Sequence, residues 1–205
     1  MEEKDSNKAP GAFSSSFHGI DEITKDREAE LRVLHTQARL LSKQFLHESA
    51  ITIALTALAD AKPYRHAIRK LIELAPESGH SREEQFTELM DKYLKQFVVY
   101  LEAEFLVGSV LDEAQQYRRA QSHFMTVRSG LETLKNVVED LESSVLGVQR
   151  HSEIQLQEFL SKKLPHGVVP TKGTPNFANF AYVTYKCARC HFAVGELEDM
   201  FQMVR

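Results

Sequence analysis

The sequence predicts an all-α fold, an elongated antiparallel helical bundle with long coiled-coil-like helices, on three observations. Apolar residues recur at three- and four-residue steps almost throughout, which is the period of an amphipathic helix. No proline occurs between Pro76 and Pro165, so nothing in that stretch removes a helical N–H or crowds the preceding turn. The 205 residues include only nine Gly and six Pro, too few to punctuate a turn-rich β fold. Hydrophobic residues make up 42% of the chain, enough for the core of one domain with a tail.

Residues 1–20 contain "NKAPGAFSSSFHG", whose Pro, Gly and Ser run predicts a disordered N-terminal tail with Phe13 and Phe17 as isolated aromatics. The helical body is expected over 21–163. Its first helical segment runs from Asp21 to Ala61, with Leu31, Leu34, Ala38, Leu41 and Phe45 on one stripe. Ile51, Leu55 and Leu58 resume that stripe after a skip at Glu48-Ser49. Pro63 ends this segment and suits the first turn of a shorter helix reaching Leu74. "APESGH" (75–80) is a turn by composition, and "SREE" (81–84) has the Ser-x-x-Glu form of a capping box that starts the next helix.

From there Phe86, Met90, Tyr93, Phe97 and Tyr100 step by four and three, and Val107, Leu111 and Ala114 continue after Glu104. A cleaner seam follows: Tyr117, Ala120, Phe124, Val127, Leu131, Leu134, Val138, Leu141, Val145 and Val148 alternate three and four without error. Such a seam would be about 48 Å long in a straight helix. Two successive steps of three between Leu111 and Tyr117 are a stammer in the repeat. Gly108, Gly130 and Gly147 are possible bends, and the phase shift nearby favours a break at Gly108 if 82–163 is two helices. The seam has two uses: packing inside one chain, or pairing with another. "LPHGVVPTKGTPN" (164–176), with three prolines and two glycines, is a linker. A C-terminal helix at 177–205, initiated around Thr174-Pro175, would dock through Phe177, Phe180 and Val183.

Net charge is −4, and basic residues form no run longer than a pair such as Lys162-Lys163 or Arg118-Arg119. No basic face for nucleic acid is therefore expected. The start "MEEKDSNKAP" has neither the basic region nor the apolar run of a secretory signal. The most apolar stretch, 96–111, is interrupted by Glu102 and Glu104 and is not a membrane span. A cytoplasmic location is expected, with peripheral membrane contact left open.

Both cysteines fall within "TYKCARCHF" (184–192), as Cys187 and Cys190 followed by His191. Helical steps of three and four place all three on one face. The spacing C-x-x-C-H is that of haem attachment, in which the two sulfurs form thioethers with the vinyl groups and the His ligates the iron. The motif and its place on a last helix resemble the cytochrome c-prime family, a four-helix bundle. The resemblance is confined to "CARCH", its place and the helical class. It implies a covalently attached haem c, with Cys187 and Cys190 as attachment points and His191 as proximal ligand. Phe180, Tyr182, Phe192 and Val194 could then contribute apolar walls. Zinc would need a further ligand such as His151 or His166. A thioredoxin-like role needs a βαβ context that is missing. The leading expectation is simpler: free thiols packed as small apolar groups, with no cofactor.

No phosphate-binding glycine loop, H-E-x-x-H or nucleophile elbow occurs. Glu102 and Glu104, amid apolar neighbours, are the carboxylates best placed for shifted titration, although a solvent-facing helix edge explains them more simply. The expected function is that of a non-enzymatic scaffold or protein-interaction subunit. It would meet a protein partner, or itself, through Phe124, Val127, Leu131, Leu134, Val138, Leu141 and Val145.

Overall fold

The structure, a computed structural model, describes residues 25–75, 83–146 and 180–203, and of Lys25, 83–87 and 141–146 only the backbone. The expected tail, the turn at 76–80, Ser81 of the capping box, residues 147–163, the linker and the start of the last helix at 174–179 lie outside the described residues. The same is true of Gly147, Val148, His151 and His166, and of the side chains of Phe86, Leu141 and Val145.

Every regular element among the described residues is helical. In chain order they are α1 (Lys25–Lys43), α2 (His47–Ala61), a 3-10 turn at Lys62–His66, α3 (Ala67–Leu74), α4 (Glu83–Glu113), α5 (Tyr117–Leu146), α6 (Phe180–Val194) and α7 (Leu197–Met203). No described helix is long and apolar enough to cross a membrane.

Helix α4 is the axis of the arrangement, touching α1, α2 and α3 as well as α5. This is why it is buried almost all round, from Tyr93, Leu94, Phe97 and Val98 through Leu101, Phe105 and Leu106 to Val110 and Leu111. Lys95–Glu28, His35–Glu102 and Ser42–Glu113 contacts rise together along α1 and α4, so these two helices run parallel. Helix α2 turns back between them on a face of Ala50, Ala54, Ala57 and Ala61, all without exposed surface. Side chains that short let two helix backbones approach closely. Helix α5 runs antiparallel to α4, as His123–Glu104 contact and the Gly130 approach to Leu101 show. Helix α6 lies antiparallel along α5, Arg128 stacking on Phe180 at 5.4 Å and Gln121 bonding His191 at 2.8 Å. It reaches α4 by side chains, Tyr182 against Phe105 and Lys186 on Asp112.

The seam of α5 faces this core. Phe124, Val127 and Leu134 have no exposed surface, and Leu131 and Val138 are nearly as buried. Each such side chain contributes roughly 1.5–3 kcal/mol through burial.

The breaks fall elsewhere than expected. Helices α1 and α2 separate at Gln44–Leu46 rather than forming one segment to Ala61. The first four residues of the expected Pro63–Leu74 helix are 3-10, with Pro63 in the first turn where its missing N–H is harmless. The described part of the long segment after 82, residues 83–146, is two helices, broken at Ala114–Gln116 and not at Gly108. The break coincides with the stammer. Gly108 and Gly130 sit inside helices for another reason. A Cβ on Gly108 would stand 2.9 Å from Cε1 of Phe124, and one on Gly130 would stand 2.4 Å from Cδ2 of Leu101. Both glycines are where α4 and α5 press together. The last helix is likewise interrupted at Gly195-Glu196.

The three breaks share one geometry. At each, one residue takes the left-handed conformation: Phe45 (φ 61), Gln115 (φ 58) and Gly195 (φ 84). Its N–H bonds the carbonyl three residues back, and the next N–H bonds the carbonyl five back: Phe45 to Ser42 and Leu46 to Leu41, Gln115 to Asp112 and Gln116 to Leu111, Gly195 to Phe192 and Glu196 to His191. This is the Schellman closure, which satisfies carbonyls that a helix end leaves unpaired. The residue after each left-handed one begins the next helix, its carbonyl accepting from Ala50, Ala120 or Met200.

Candidate functional site

Because α1, α4 and α6 are mutually parallel, their C-terminal ends gather at one end of the bundle. Ser42 with Glu113, Asp112 with Arg189, and Gln121 with Glu196 tie the three corners together there. The motif at 187–191, the buried Asp112–Lys186–Arg189 ion cluster and, among the described residues, most of the exposed large apolar side chains all belong to this end.

Cys187, Cys190 and His191 share the face of α6 turned to the interior, as helical spacing requires. Neither sulfur has exposed surface, and both belong to the core formed with α4 and α5. They are free thiols. Burial pushes the Cys187 thiol up to about 12. Burial, with the Asp112 carboxylate nearby, pushes Cys190 up to about 11. Thiols so placed stay protonated at neutral pH and are poor nucleophiles. Thioether formation at both would require the α5–α6 contact to open. His191, only 7% exposed, turns its ring toward Gln121 and Glu196 rather than toward the thiols.

One turn before the corner of α4, the Asp112 side chain is almost wholly buried, and its Oδ2 accepts from Lys186 at 2.7 Å and from Arg189 at 3.1 Å. Its Oδ1 is buried without a donor. A carboxylate at a helix C-terminus opposes the helix dipole, and the two cations of α6 compensate it. Burial works against the Lys186 charge, but the Asp112 hydrogen bond and charge outweigh it and hold the ammonium above its ordinary value.

Where α6 ends, Nε2 of Gln121 lies 2.8 Å from Nδ1 of His191 and 3.2 Å from its Nε2. It also lies 2.8 Å from Oε2 of Glu196, which is itself 2.9 Å from the His191 Nδ1. Hydrogen bonds from Gln121 and His191 hold the Glu196 carboxyl below its ordinary value. One turn on, a carboxylate oxygen of Asp199 completes a group with His191 and Glu196 whose ligand atoms all lie within 4.8 Å of one another. Only His191 of these was visible as a candidate in the sequence, because Gln121 is 70 positions away.

Toward the middle of the bundle, Glu104 is buried and not at a solvent-facing edge. It accepts from Tyr100 Oη at 2.7 Å and pairs with Nδ1 of His123 at 2.6 Å. Burial first, then the Glu104 hydrogen bond, raises the Tyr100 hydroxyl well above its ordinary value. Tyr100 and Glu104 form the wall of a cavity of about 320 Å³ closed by Leu55, Leu58, Ala59, Lys62 and Arg65.

The apolar surface is concentrated at the corners. Of eleven large apolar side chains left well exposed among the described residues, six lie there: Leu40, Phe45 and Leu46 at the first corner, and Phe192, Leu197 and Phe201 at the third. Phe45 is 82% exposed although its backbone is left-handed. Helix α7 packs on α6 yet buries none of its residues. Phe124, Val127, Leu131, Leu134 and Val138 of the seam, by contrast, are buried in the core. The sequence placed Phe45 on the buried stripe of α1, and only the corner at Gln44–Leu46 turns it outward. Comparison with protein-family models, with curated proteins and with solved structures gave no match to this chain.

Proposed function

We propose that this chain is a non-enzymatic helical interaction subunit that meets a protein partner, or a second copy of itself, with the cornered end of the bundle. One observation carries the reading. Phe45 holds an aromatic side chain in solvent from a left-handed backbone, a conformation that costs a non-glycine residue about 1–2 kcal/mol. Glycine would fit that position without cost, and a polar residue would avoid the exposed ring. Strain kept at an exposed aromatic is the pattern of a binding residue. Leu46 beside it, with Phe192, Leu197 and Phe201 across the same end, adds apolar surface of the kind that docking sites use. The seam at Phe124–Val138 serves as internal packing in this reading, and the cytoplasm, a reducing compartment, suits its two free thiols.

The test uses opposite signs. Phe45→Gly should raise the stability of the isolated chain by about 1 kcal/mol, because glycine adopts the corner freely. The same variant combined with Phe201→Ser should abolish self-association in sedimentation velocity, or lose the partners that the unaltered chain captures reproducibly. A stable double variant that keeps the same mass and the same partners overturns the proposal.

A further inference from the structure

We infer that the cornered end meets a second copy of this chain, joined crosswise, so that the first corner of each protomer seats on the third corner of the other. The inference rests on the docking reading above and names its occupant.

The two outer corners carry the same kind of apolar surface and opposite charge. Residues 36–46, the last turns of α1 and the first corner, include Arg39 and Lys43 and no acid. Residues 192–203, the third corner and α7, include Glu196, Glu198 and Asp199 and no lysine or arginine. In each, charge and apolar group are neighbours on one helix: Lys43 follows Leu40 by three positions, and Phe201 follows Glu198 by three. Arg39, Lys43, Glu198 and Asp199 are all exposed, and none of their side chains makes a hydrogen bond or ion pair with a described residue. Carboxylate oxygens of Glu196 and Asp199 lie within 4.8 Å of each other, and no described lysine or arginine forms an ion pair with either. Like charges that close repel, and a cation brought by a partner relieves them. Glu48, at the start of α2, reduces the charge of the first corner without cancelling it.

Symmetry supplies the fit. The ties of Ser42 to Glu113, Asp112 to Arg189 and Gln121 to Glu196 set the corners in a row, with the α4–α5 corner in the middle. A twofold axis through that middle corner, lying across the end of the bundle, brings the first corner of one protomer onto the third corner of its partner. The same operation makes the reverse contact, so every pairing occurs twice. Phe45 and Leu46 then meet Leu197 and Phe201, and Arg39 and Lys43 meet Glu198 and Asp199. At the axis the middle corner faces itself. Gln115 at its tip is uncharged, and Glu113, Arg118 and Arg119 around it are of both signs.

The experiment is sedimentation velocity on the full chain. A dimer is expected at about 50 µM. Its dissociation constant should rise about tenfold or more between about 50 and 500 mM sodium chloride, because exposed charge pairs are screened. Arg39→Glu with Lys43→Glu gives a protomer two acidic corners, and Glu198→Lys with Asp199→Lys gives one two basic corners. Each variant alone should be monomeric, its dimer weakened more than about hundredfold by like charges in contact. An equimolar mixture of the two should dimerise as the unaltered chain does, because both crosswise contacts are restored. A chain with all four reversals should also self-associate. The positions are exposed, so the fold should be kept, and helical ellipticity checks this. Four results overturn the inference: an unaltered chain that stays monomeric at about 50 µM, a dissociation constant that salt leaves unchanged, a dimer that the reversals leave unchanged, or reversal variants whose mixture stays monomeric. If a dimer survives the reversals yet is lost in Phe45→Gly with Phe201→Ser, the docking reading stands and the crosswise pairing alone falls.

Discussion

Asp112 of α4 and Lys186 of α6 meet at 2.7 Å through a carboxylate almost wholly withdrawn from solvent, although they are 74 positions apart. The pair is the polar rivet between the axis of the bundle and its C-terminal helix. Asp112→Ala leaves the Lys186 ammonium in a largely buried place without its partner. A loss of about 3–5 kcal/mol is expected in urea unfolding, as for a broken buried pair. Arg189, more exposed, can turn to water and relieves only part of this. Asp112→Leu with Lys186→Met should recover most of the loss, since apolar groups of similar volume replace a buried pair at little cost. A single variant that loses less than about 1 kcal/mol would show that the pair does not hold α6 in place.

Gly130→Ala tests the contact between α4 and α5. In an exposed helix this change stabilises by about 1 kcal/mol. Here the new Cβ stands 2.4 Å from a Leu101 methyl that has no exposed surface to move into. Overpacking costs about 1–3 kcal/mol and should win, so the thermal midpoint falls. A rise in the midpoint would mean that Leu101 has a second rotamer available.

Gln115→Gly should act in the opposite direction. Gln115 holds a left-handed backbone at the corner between the two longest helices, with its N–H on the Asp112 carbonyl. Glycine takes that conformation without a Cβ clash, and the gain outweighs its larger chain entropy when unfolded. A stabilisation of about 0.5–1 kcal/mol is expected by chemical denaturation.

The two thiols predict an alkaline limit to stability. They titrate at about 12 and about 11 in the folded chain, against an ordinary 9.0. Above pH 9 the unfolded chain therefore loses these protons first. The contribution is fully present below that pH and is lost as pH rises toward the folded values. A decline on the order of a few kcal/mol is expected by about pH 11. Cys187→Ala with Cys190→Ala removes this component, and subtraction of the two pH profiles isolates it from lysine and tyrosine titration. Coincident slopes would show the thiols to be solvated.

The all-α fold was legible because its signal is local. A heptad step from Phe124 to Val138 depends only on residues three and four apart, and the same side chains are the ones the fold buries. The corners were less legible. The stammer before Tyr117 marked the break in α4–α5, but Gly108 competed with it, since a helical glycine signals a bend and a close approach equally well. Gln115 and Phe45 carry no sequence sign of a left-handed backbone, because glycine is the usual marker and they lack it. Gly195 is such a marker, though a single glycine near a chain end is weak by itself. Asp112 and Gln121 were invisible as site residues for a different reason, which also makes Glu104, though noticeable among apolar neighbours, look like a helix-edge carboxylate. Each is defined by a partner on another helix, and Glu104 in particular resembles a surface carboxylate until α5 covers it with His123.

The placement of the two cysteines has a kinetic consequence. Helices α4 and α5 adjoin in sequence and close by a three-residue corner, so their contacts carry little loop entropy. Helix α6 rests on α5 and reaches α4, and its burial needs that hairpin to exist already. The sulfurs should therefore remain reactive through early collapse and become protected only when α6 docks. Pulsed alkylation during refolding, followed by mass spectrometry, would then time that one event without any introduced label. Protection of both sulfurs should lag behind the growth of helical ellipticity, and should slow further in Asp112→Ala while the ellipticity rate is unchanged.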